Sequence, residues 1–507
     1  MSPGANRRTV RAGLFISRGE DSESGLLRRA ITVVLRFALR VFFRRVEVVG
    51  RERVPREGAC LFVLNHPNGL VDPVFLLCFA PRRVSFLAKS PLFRMPVISF
   101  FVRALDSIPV YRRQDEGADT TRNRETFERS AELLRRGGTI AICPEGASHS
   151  EPYLLPLKTG AARIALGAAS VKDESGGMRD EGGRMKGEVK AGLPSLHPSS
   201  FRLHPSLKIV PAGLYYTAKT TFRSGALLYF GEPIEVGPVA LDEGGEPPRE
   251  RVAELSARIA DALRSLTLNA DRHEALALVA RAERIFSSEE DEEGQSLERE
   301  LRRRRRFVEG YAFHRQHSPA RLEILERRIR QYEEELRQAG LEDPRQLSPA
   351  TVSEYARAWT TLARAALFLL LSPLALAGAV VHYPAYKLAG LLATKFASEY
   401  DDILSTFKIA AALLLFPLTW LALAVALYFF AGWWGVLAAL ALAPLAGYVA
   451  LRTREGLDRF LAGTRAALFF LRERSFFRRL LEERRLIRRE ILELGDEAER
   501  AGALDRA

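Results

Sequence analysis

From Ile409 to Leu451 the chain carries no charged side chain, and it is flanked by Lys408 on one side and by Arg452 and Arg454 on the other. A run of that length constrains the fold more than any other feature. A helix crossing a bilayer needs roughly 20 apolar residues, so the stretch holds two spans. Gly432-Trp433-Trp434-Gly435 falls at its middle, where a turn at the membrane–water interface would place tryptophan. The basic residues at both ends put those ends on the cytoplasmic side. The expectation is a hairpin over 409–451 within a membrane region at 358–455. A weaker apolar stretch at 365–386 carries Ser372-Pro373 and Pro384. A single crossing there would separate the N-terminal part from the hairpin ends, and the Arg-rich flanks of every segment argue against that. It is read as a re-entrant or interfacial piece.

At 507 residues the chain is too long for one ordinary core. Its formal charge of +13 implies an acidic partner, anionic lipid or nucleic acid. The Arg run at 302–306 is accompanied by no aromatic-interleaved groove or recognition motif, so no nucleic-acid partner is expected. Cys60, Cys78 and Cys143 form no paired framework, which fits a reducing compartment. The N-terminus lacks the h-region of a signal peptide. After a loose stretch at 1–24, residues 25–46 place Arg29, Arg36, Arg40 and Arg44 at helical spacing among Leu, Val and Phe. That pattern suits a basic amphipathic helix lying in an anionic membrane interface.

Between about Glu47 and Ser265 short β-prone runs (ACLFVL, VSFLA, TIAIC, LKIVPAG) alternate with helix-like stretches at 122–136 and 159–169. This predicts an α/β domain over 47–270, a mixed sheet flanked by helices, with a flexible Gly- and charge-rich insertion at 171–206. An all-α region follows: charged helices over 271–357, the membrane helices, and a charged C-terminal helix within 456–507. Leu322, Leu325, Ile329, Tyr332 and Leu336 follow heptad-like spacing. That stripe and the helix from Ser475 are expected to pair with one another or to form a homodimer. The acidic run Glu289–Glu293 reads as a solvated face.

The sharpest chemical signal is VLNHPNGLVDP, Val63–Pro73. A neutral imidazole takes a proton from an alcohol, and a carboxylate fixes its tautomer and stabilises the cation. His66 at the end of a strand and Asp72 at a helix start would face one cleft at the sheet edge. Alone, the pair reads more readily as a satisfied polar turn than as a site. Cys143 ends an apolar run and reads as a buried strand cysteine. His314 and His317 lie in a charged helix and are not read as metal ligands.

Downstream, in order, stand VSFLAKSPLF (Val84–Phe93), SIPVYRR (Ser107–Arg113), AICPEGASHSEPYLLPLKTGAARIAL (Ala141–Leu166) and IVPAGLYY (Ile209–Tyr216). With these blocks the chain resembles the glycerophospholipid acyltransferase superfamily over roughly Glu47–Gly237. Five residues separate His66 from Asp72 where four are usual. With PEG-x-SHS, that variant looks most like the glycerol-3-phosphate/dihydroxyacetone phosphate acyltransferase branch of fungi and bacteria.

The resemblance implies His66 as general base and Asp72 as its orienting acid. It implies Lys89 and Arg112 on the acceptor phosphate, with Glu145 and Gly146 shaping the acceptor site. Ser148 stands where an Arg is frequent, leaving phosphate contacts there to Lys158 or Arg113. His149 is open between substrate contact and structure, and Asp106 stands where Gly is usual. No metal or cofactor is implied, since the acyl-CoA or acyl carrier protein co-substrate is already activated. The function so implied is acyl transfer to glycerol-3-phosphate or dihydroxyacetone phosphate by an integral protein whose catalytic domain is cytoplasmic, at a bacterial plasma membrane. The alternatives are acylation of 1-acylglycerol-3-phosphate and a non-catalytic lipid-binding scaffold.

Overall fold

The computed structural model describes residues 20–95, 98–111, 123–170, 207–287, 296–341, 343–347, 358–396 and 401–504. The insertion at 171–206, Arg112, Arg113 and the acidic run at 289–293 lie outside the described residues.

Helix α1, Glu20–Phe42, leads into an eight-stranded mixed sheet. Its strands are β1 (Arg45–Val49), β2 (Cys60–Leu64), β3 (Ser85–Lys89), β4 (Ile108–Val110), β5 (Thr139–Ile142), β6 (Leu207–Tyr216), β7 (Gly225–Phe230) and β8 (Ile234–Val236). Along the sheet the order is β1-β7-β6-β2-β5-β3-β4, with β8 also on β6. From β6 to β4 the strands are all parallel, and β7 and β8 run antiparallel to β6. Helices α2 (Val71–Phe79), α3 (Ile98–Ala104), α4 (Asn123–Arg135), α5 (Gly160–Ala168) and α6 (Arg249–Arg264) complete the domain.

Strand β2 shows why the sheet is sandwiched. Cys60, Phe62 and Leu64 pack with Leu39 of α1, with Phe43 just after it, and with Phe75 and Leu76 of α2. Leu61 and Val63 pack on the other side with Leu134 of α4, Ile164 of α5 and Leu255 of α6. A strand apolar on both faces has to be covered on both. Each such side chain contributes roughly 1.5–3 kcal/mol of burial.

Helix α1 ends at Phe42, earlier than the limit of 46 read from sequence. Phe43 is drawn into the core and the Arg44 amide donates to the Ser224 carbonyl, which starts the sheet. The side of α1 away from the domain is apolar, with Leu26, Val33, Val34 and Phe37 all exposed. Arg28 points inward, donating to the Val84 carbonyl and to Asp106.

The C-terminal region is helical: α7 (His273–Phe286), α8 (Leu297–His317), α9 (Pro319–Gln338), α10 (Ala358–Phe396), α11 (Asp401–Arg472) and α12 (Arg474–Arg500). Segments of α10 and α11 are long and apolar enough to cross a membrane. Within α11, Gly432 adopts φ 58° and ψ −145°, a conformation essentially confined to glycine. The fold there is sharp enough to bring Gly435 against the Leu427 carbonyl. The second half of α11 continues past the 455/456 boundary drawn from sequence, to Arg472, and the C-terminal helix begins only at Arg474. Helical pattern does not stop where apolar composition stops.

The re-entrant piece expected over 365–386 is instead part of one unbroken helix, α10. Pro373 has no amide to offer the Leu369 carbonyl, and the Ser372 hydroxyl donates to it at 2.8 Å in its place. Such a substitute donor is how a proline is carried inside an apolar helix. The stripe on α9 is consumed within the chain. Leu325, Ile329, Tyr332 and Leu336 pack against Phe477, Leu480, Ile487, Ile491 and Leu494 of α12. The Arg run on α8 is paired as well: Arg302 with Glu298, Arg303 with Glu283, Arg304 with Glu283 and Glu300, Arg306 with Glu499.

Candidate active site

Because β6, β2, β5, β3 and β4 are parallel, the loops that follow them gather along one edge of the sheet, where open α/β sheets hold ligands. His66 follows β2, Lys89 ends β3, Glu145 follows β5 and Lys219 follows β6. The β2–β6 ladder reaches Leu64↔Ala212. Asn65 extends it with its side chain: Oδ1 accepts from the Leu214 amide at 2.7 Å and Nδ2 donates to the Leu214 carbonyl at 3.0 Å. This amide clasp fixes the next residue, His66, at the mouth of the cleft.

His66 Nδ1 lies 3.0 Å from Asp72 Oδ2. A carboxylate only accepts, so Nδ1 carries the proton and Nε2 keeps the lone pair. The Asp72 side chain is fully buried while that of His66 is 19% exposed, so the pair presents the base and hides the acid. Asp72 is satisfied from three directions: by His66, by the Asn68 amide at 2.7 Å to Oδ2, and by the Tyr216 hydroxyl at 2.6 Å to Oδ1. The extra residue in the His–Asp spacing is absorbed by a turn. The Val71 amide donates to the Asn68 carbonyl at 2.9 Å and Gly69 takes φ 41°.

Burial disfavours a charged His66 ring, but the neighbouring Cys143 sulfur and the hydrogen-bonded Asp72 carboxylate outweigh it. The imidazole is held well above its ordinary pKa. Burial and the Asp72 charge push the Tyr216 phenol well above its usual range, so it stays a donor.

Glu145 differs from its expected role. Oε1 accepts from the His66 backbone amide at 2.9 Å, and Oε2 accepts from the Leu155 amide at 2.9 Å and from His149 Nε2 at 2.5 Å. With its side chain fully buried it braces the loop instead of facing a substrate. His149 is also committed: besides Glu145 at Nε2, its Nδ1 accepts from the Glu151 amide at 3.2 Å, and its own amide donates to the His66 carbonyl at 3.2 Å. Both ring nitrogens of His149 thus have partners within the protein.

The Lys158 side chain crosses over Gly146, so closely that a Cβ there would lie 2.5 Å from Nζ. Ser148 is half-buried in the same loop, and Lys89 stands exposed at the end of β3 on the same sheet edge. Asp106 adopts φ 54°, the left-handed region that glycine favours and aspartate tolerates. Its carboxylate accepts from Arg28 at 2.8 Å, tying β4 to α1.

Sequence reasoning passed over Asn65, Asn68, Tyr216 and Lys219 as site residues, and placed Cys143 in the strand interior, whereas it sits half-buried beside the His66 ring. Asn65 and Asn68 flank the histidine and Tyr216 closes the block Ile209–Tyr216, but only strand register shows that they converge. Among the described residues no group of His, Cys, Asp and Glu could hold a metal ion.

A histidine base braced by a buried aspartate at the edge of this sheet, joined to helices long and apolar enough to cross a membrane, defines an acyltransferase-type domain with a membrane-competent helical region. Residues 45–175 match the Acyltransferase family model, and residues 278–499 match the Glycerol-3-phosphate acyltransferase 2 C-terminal domain. The first match falls on the α/β sheet and the second on the helical C-terminal region.

Among its relatives, glycerol-3-phosphate O-acyltransferase 2 of Saccharomyces cerevisiae is 29% identical over 315 residues, covering 59% of this chain and 38% of the relative. Glycerol-3-phosphate O-acyltransferase 1 of the same yeast is 24% identical over 503 residues, covering 80% of this chain and 62% of the relative. A chloroplastic 1-acyl-sn-glycerol-3-phosphate acyltransferase of Brassica napus is 27% identical over 124 residues, 24% of this chain and 34% of that one. The chain thus spans less than two thirds of the length of either yeast relative.

Proposed function

We propose that the chain transfers a fatty acyl group from a thioester, acyl-CoA or acyl carrier protein, to a hydroxyl of glycerol-3-phosphate or dihydroxyacetone phosphate at a membrane surface. The observation that carries this is the His66–Asp72 pair at the sheet edge, with Nδ1 on the carboxylate, so that Nε2 is the nitrogen that takes a proton once the ring is neutral. His66 Nε2 takes the acceptor hydroxyl proton as the oxygen attacks the thioester carbonyl. The tetrahedral intermediate collapses, the carbon–sulfur bond breaks, and the leaving thiolate takes the proton from the imidazolium. Asp72 stabilises that imidazolium, and Tyr216 and the Asn68 amide hold Asp72. Lys89 supplies the cation for the acceptor phosphate, and Arg112, which follows β4, the bidentate fork.

The apolar outer side of α1, edged by Arg29, Arg36 and Arg40, supports seating on anionic lipid. The catalytic domain then faces the cytoplasm, at the plasma membrane of a bacterial cell. Support for that orientation comes from Lys408 and Glu455, at the two ends of the hairpin, which both bond to the catalytic domain. The 1-acylglycerol-3-phosphate reading is favoured by plant relatives that each match 24% of the chain.

The test is an acceptor screen on membranes containing the protein, with glycerol-3-phosphate, dihydroxyacetone phosphate and 1-acylglycerol-3-phosphate offered in parallel. His66→Ala is expected to lose transfer. Consumption of 1-acylglycerol-3-phosphate alone overturns the acceptor assignment, and full activity in His66→Ala overturns the base.

A further inference from the structure

The connection between β6 and β7, residues 217–224, touches the catalytic loops on one side and the apolar helices on the other. Lys219 reaches across the site. Its Nζ donates to the Pro67 carbonyl at 2.8 Å, the Ser150 hydroxyl at 2.8 Å and the His149 carbonyl at 3.3 Å. An ammonium has three protons, and these three oxygens take them. Two belong to the loop after β5 and one is the carbonyl directly following His66. Lys219 thus pins together the two loops that His66 and Glu145 already join through a single carboxylate bond.

The backbone of the same residue is held from both sides. The Lys219 carbonyl accepts from Asn68 Nδ2 at 3.4 Å and from the Ser405 hydroxyl at 2.5 Å. Ser405 is fully buried in the first turns of α11. One residue on, the Thr220 carbonyl accepts from Lys408 Nζ at 2.8 Å. Phe222 packs on Tyr386 of α10 with ring centroids 6.2 Å apart. Arg223, at φ 68°, is ion-paired with Glu455 on the returning half of α11. Both arms of the hairpin and α10 therefore grip one loop, and that loop grips the base.

We propose that Lys219 is a positioning residue for His66, and that the apolar helices, through Ser405 and Lys408, set the geometry of the catalytic loop as well as anchoring the chain. This rests on the acyl-transfer reading of His66. The ammonium is spent on internal oxygens, which sets it apart from a phosphate ligand. A displacement of about 1 Å at a general base can cost about a hundredfold in rate, so a strap of this kind acts on kcat.

The experiment uses the full chain in lipid nanodiscs, with Lys219→Met, Lys219→Arg, Ser405→Ala, Lys408→Met and His66→Ala. Steady-state kinetics are read beside amide hydrogen exchange of peptides spanning 64–72 and 145–151. Lys219→Met is expected to lower kcat by about ten- to a hundredfold with both KM values within about twofold, and to speed exchange in both peptides by about tenfold. Lys219→Arg restores part of kcat. Ser405→Ala and Lys408→Met speed exchange in the same two peptides while the protein stays in the disc. Unchanged exchange in Lys219→Met overturns the strap. A raised acceptor KM at unchanged kcat makes Lys219 a ligand and overturns it too. Unchanged exchange in both α11 variants overturns the membrane arm. Activity surviving in His66→Ala overturns the acyl-transfer reading, and the exchange data still judge Lys219 on their own.

Discussion

Asp72→Asn removes a charge from the site and leaves its shape. The amide oxygen can occupy the Oδ2 position, where it still accepts from His66 Nδ1 and the Asn68 amide, while the amide nitrogen turns to the Tyr216 oxygen. The tautomer of His66 survives and the stabilisation of its cation does not. With Nδ1 and Oδ2 3.0 Å apart, the charge centres lie about 4 Å from each other, an attraction of about 4 kcal/mol at the effective dielectric that suits protein sites. At about 1.4 kcal/mol per decade, that bounds the loss in kcat/KM near a thousandfold. A transition state carrying part of the charge gives about a hundredfold or more.

The pH profile carries the second half of this prediction. The base works only as neutral imidazole, so with His66 held well above 6.5 the wild-type rate is low in acid and climbs as pH passes that raised value. Removing the carboxylate takes away one of the groups that raise the His66 pKa, so the climbing limb moves to lower pH while the plateau falls. Initial rates across pH 5–9 at saturating donor measure both. A plateau within threefold of wild type, or a limb that stays in place, refutes Asp72 as the group that stabilises the imidazolium.

The reverse sign is expected from Tyr216→Phe. The Asp72 carboxylate loses the 2.6 Å phenol donor, its charge is less satisfied, and the limb shifts upward with a several-fold loss in kcat, read in the same profile. Asn65→Ala strips partners from both the amide and the carbonyl of Leu214. At about 1–3 kcal/mol per unsatisfied buried group, the melting temperature drops by several degrees, measured by intrinsic fluorescence in detergent micelles. Phe37→Trp puts a reporter on the outer side of α1, where Phe37 is exposed. Its emission is expected to be quenched by brominated lipid in anionic vesicles, and no quenching would place α1 off the membrane.

What the sequence revealed follows from how local each signal is. A 43-residue apolar run needs only composition, and alternating strand and helix patterns need only near neighbours, so the long apolar helices and the mixed sheet were legible. The chemistry of Glu145 and His149 was not. Glu145 was read as shaping the acceptor site and His149 was left open, yet Glu145 accepts from the backbone amides of His66 and Leu155, contacts fixed by β2–β5 register over dozens of residues. The re-entrant reading of 365–386 failed for a related reason. Proline was weighed as a breaker, and the Ser372 hydroxyl that relieves it was not. Lys219 is the extreme case, since nothing in AKTTFRS marks that lysine until the β6–β7 turn lands between two loops and a membrane helix.

The heptad-like stripe shows the limit from the other direction. An apolar row on a charged helix states that something must cover it and says nothing of whether the cover is a second chain. Here α12 supplies Phe477, Leu480, Ile487, Ile491 and Leu494, and Arg328 adds ion pairs to Glu483 and Glu490 from the same helix. Arg306 and Arg321 reach Glu499 and Glu497 near its end. The stripe that invited a homodimer is answered by one intramolecular helix, while the Arg run on α8 is paired mostly by glutamates of α7 and of α8 itself, with Arg306 reaching α12. The positive charge still available to a membrane then sits on α1 and at the hairpin ends, beside the loops that hold the base.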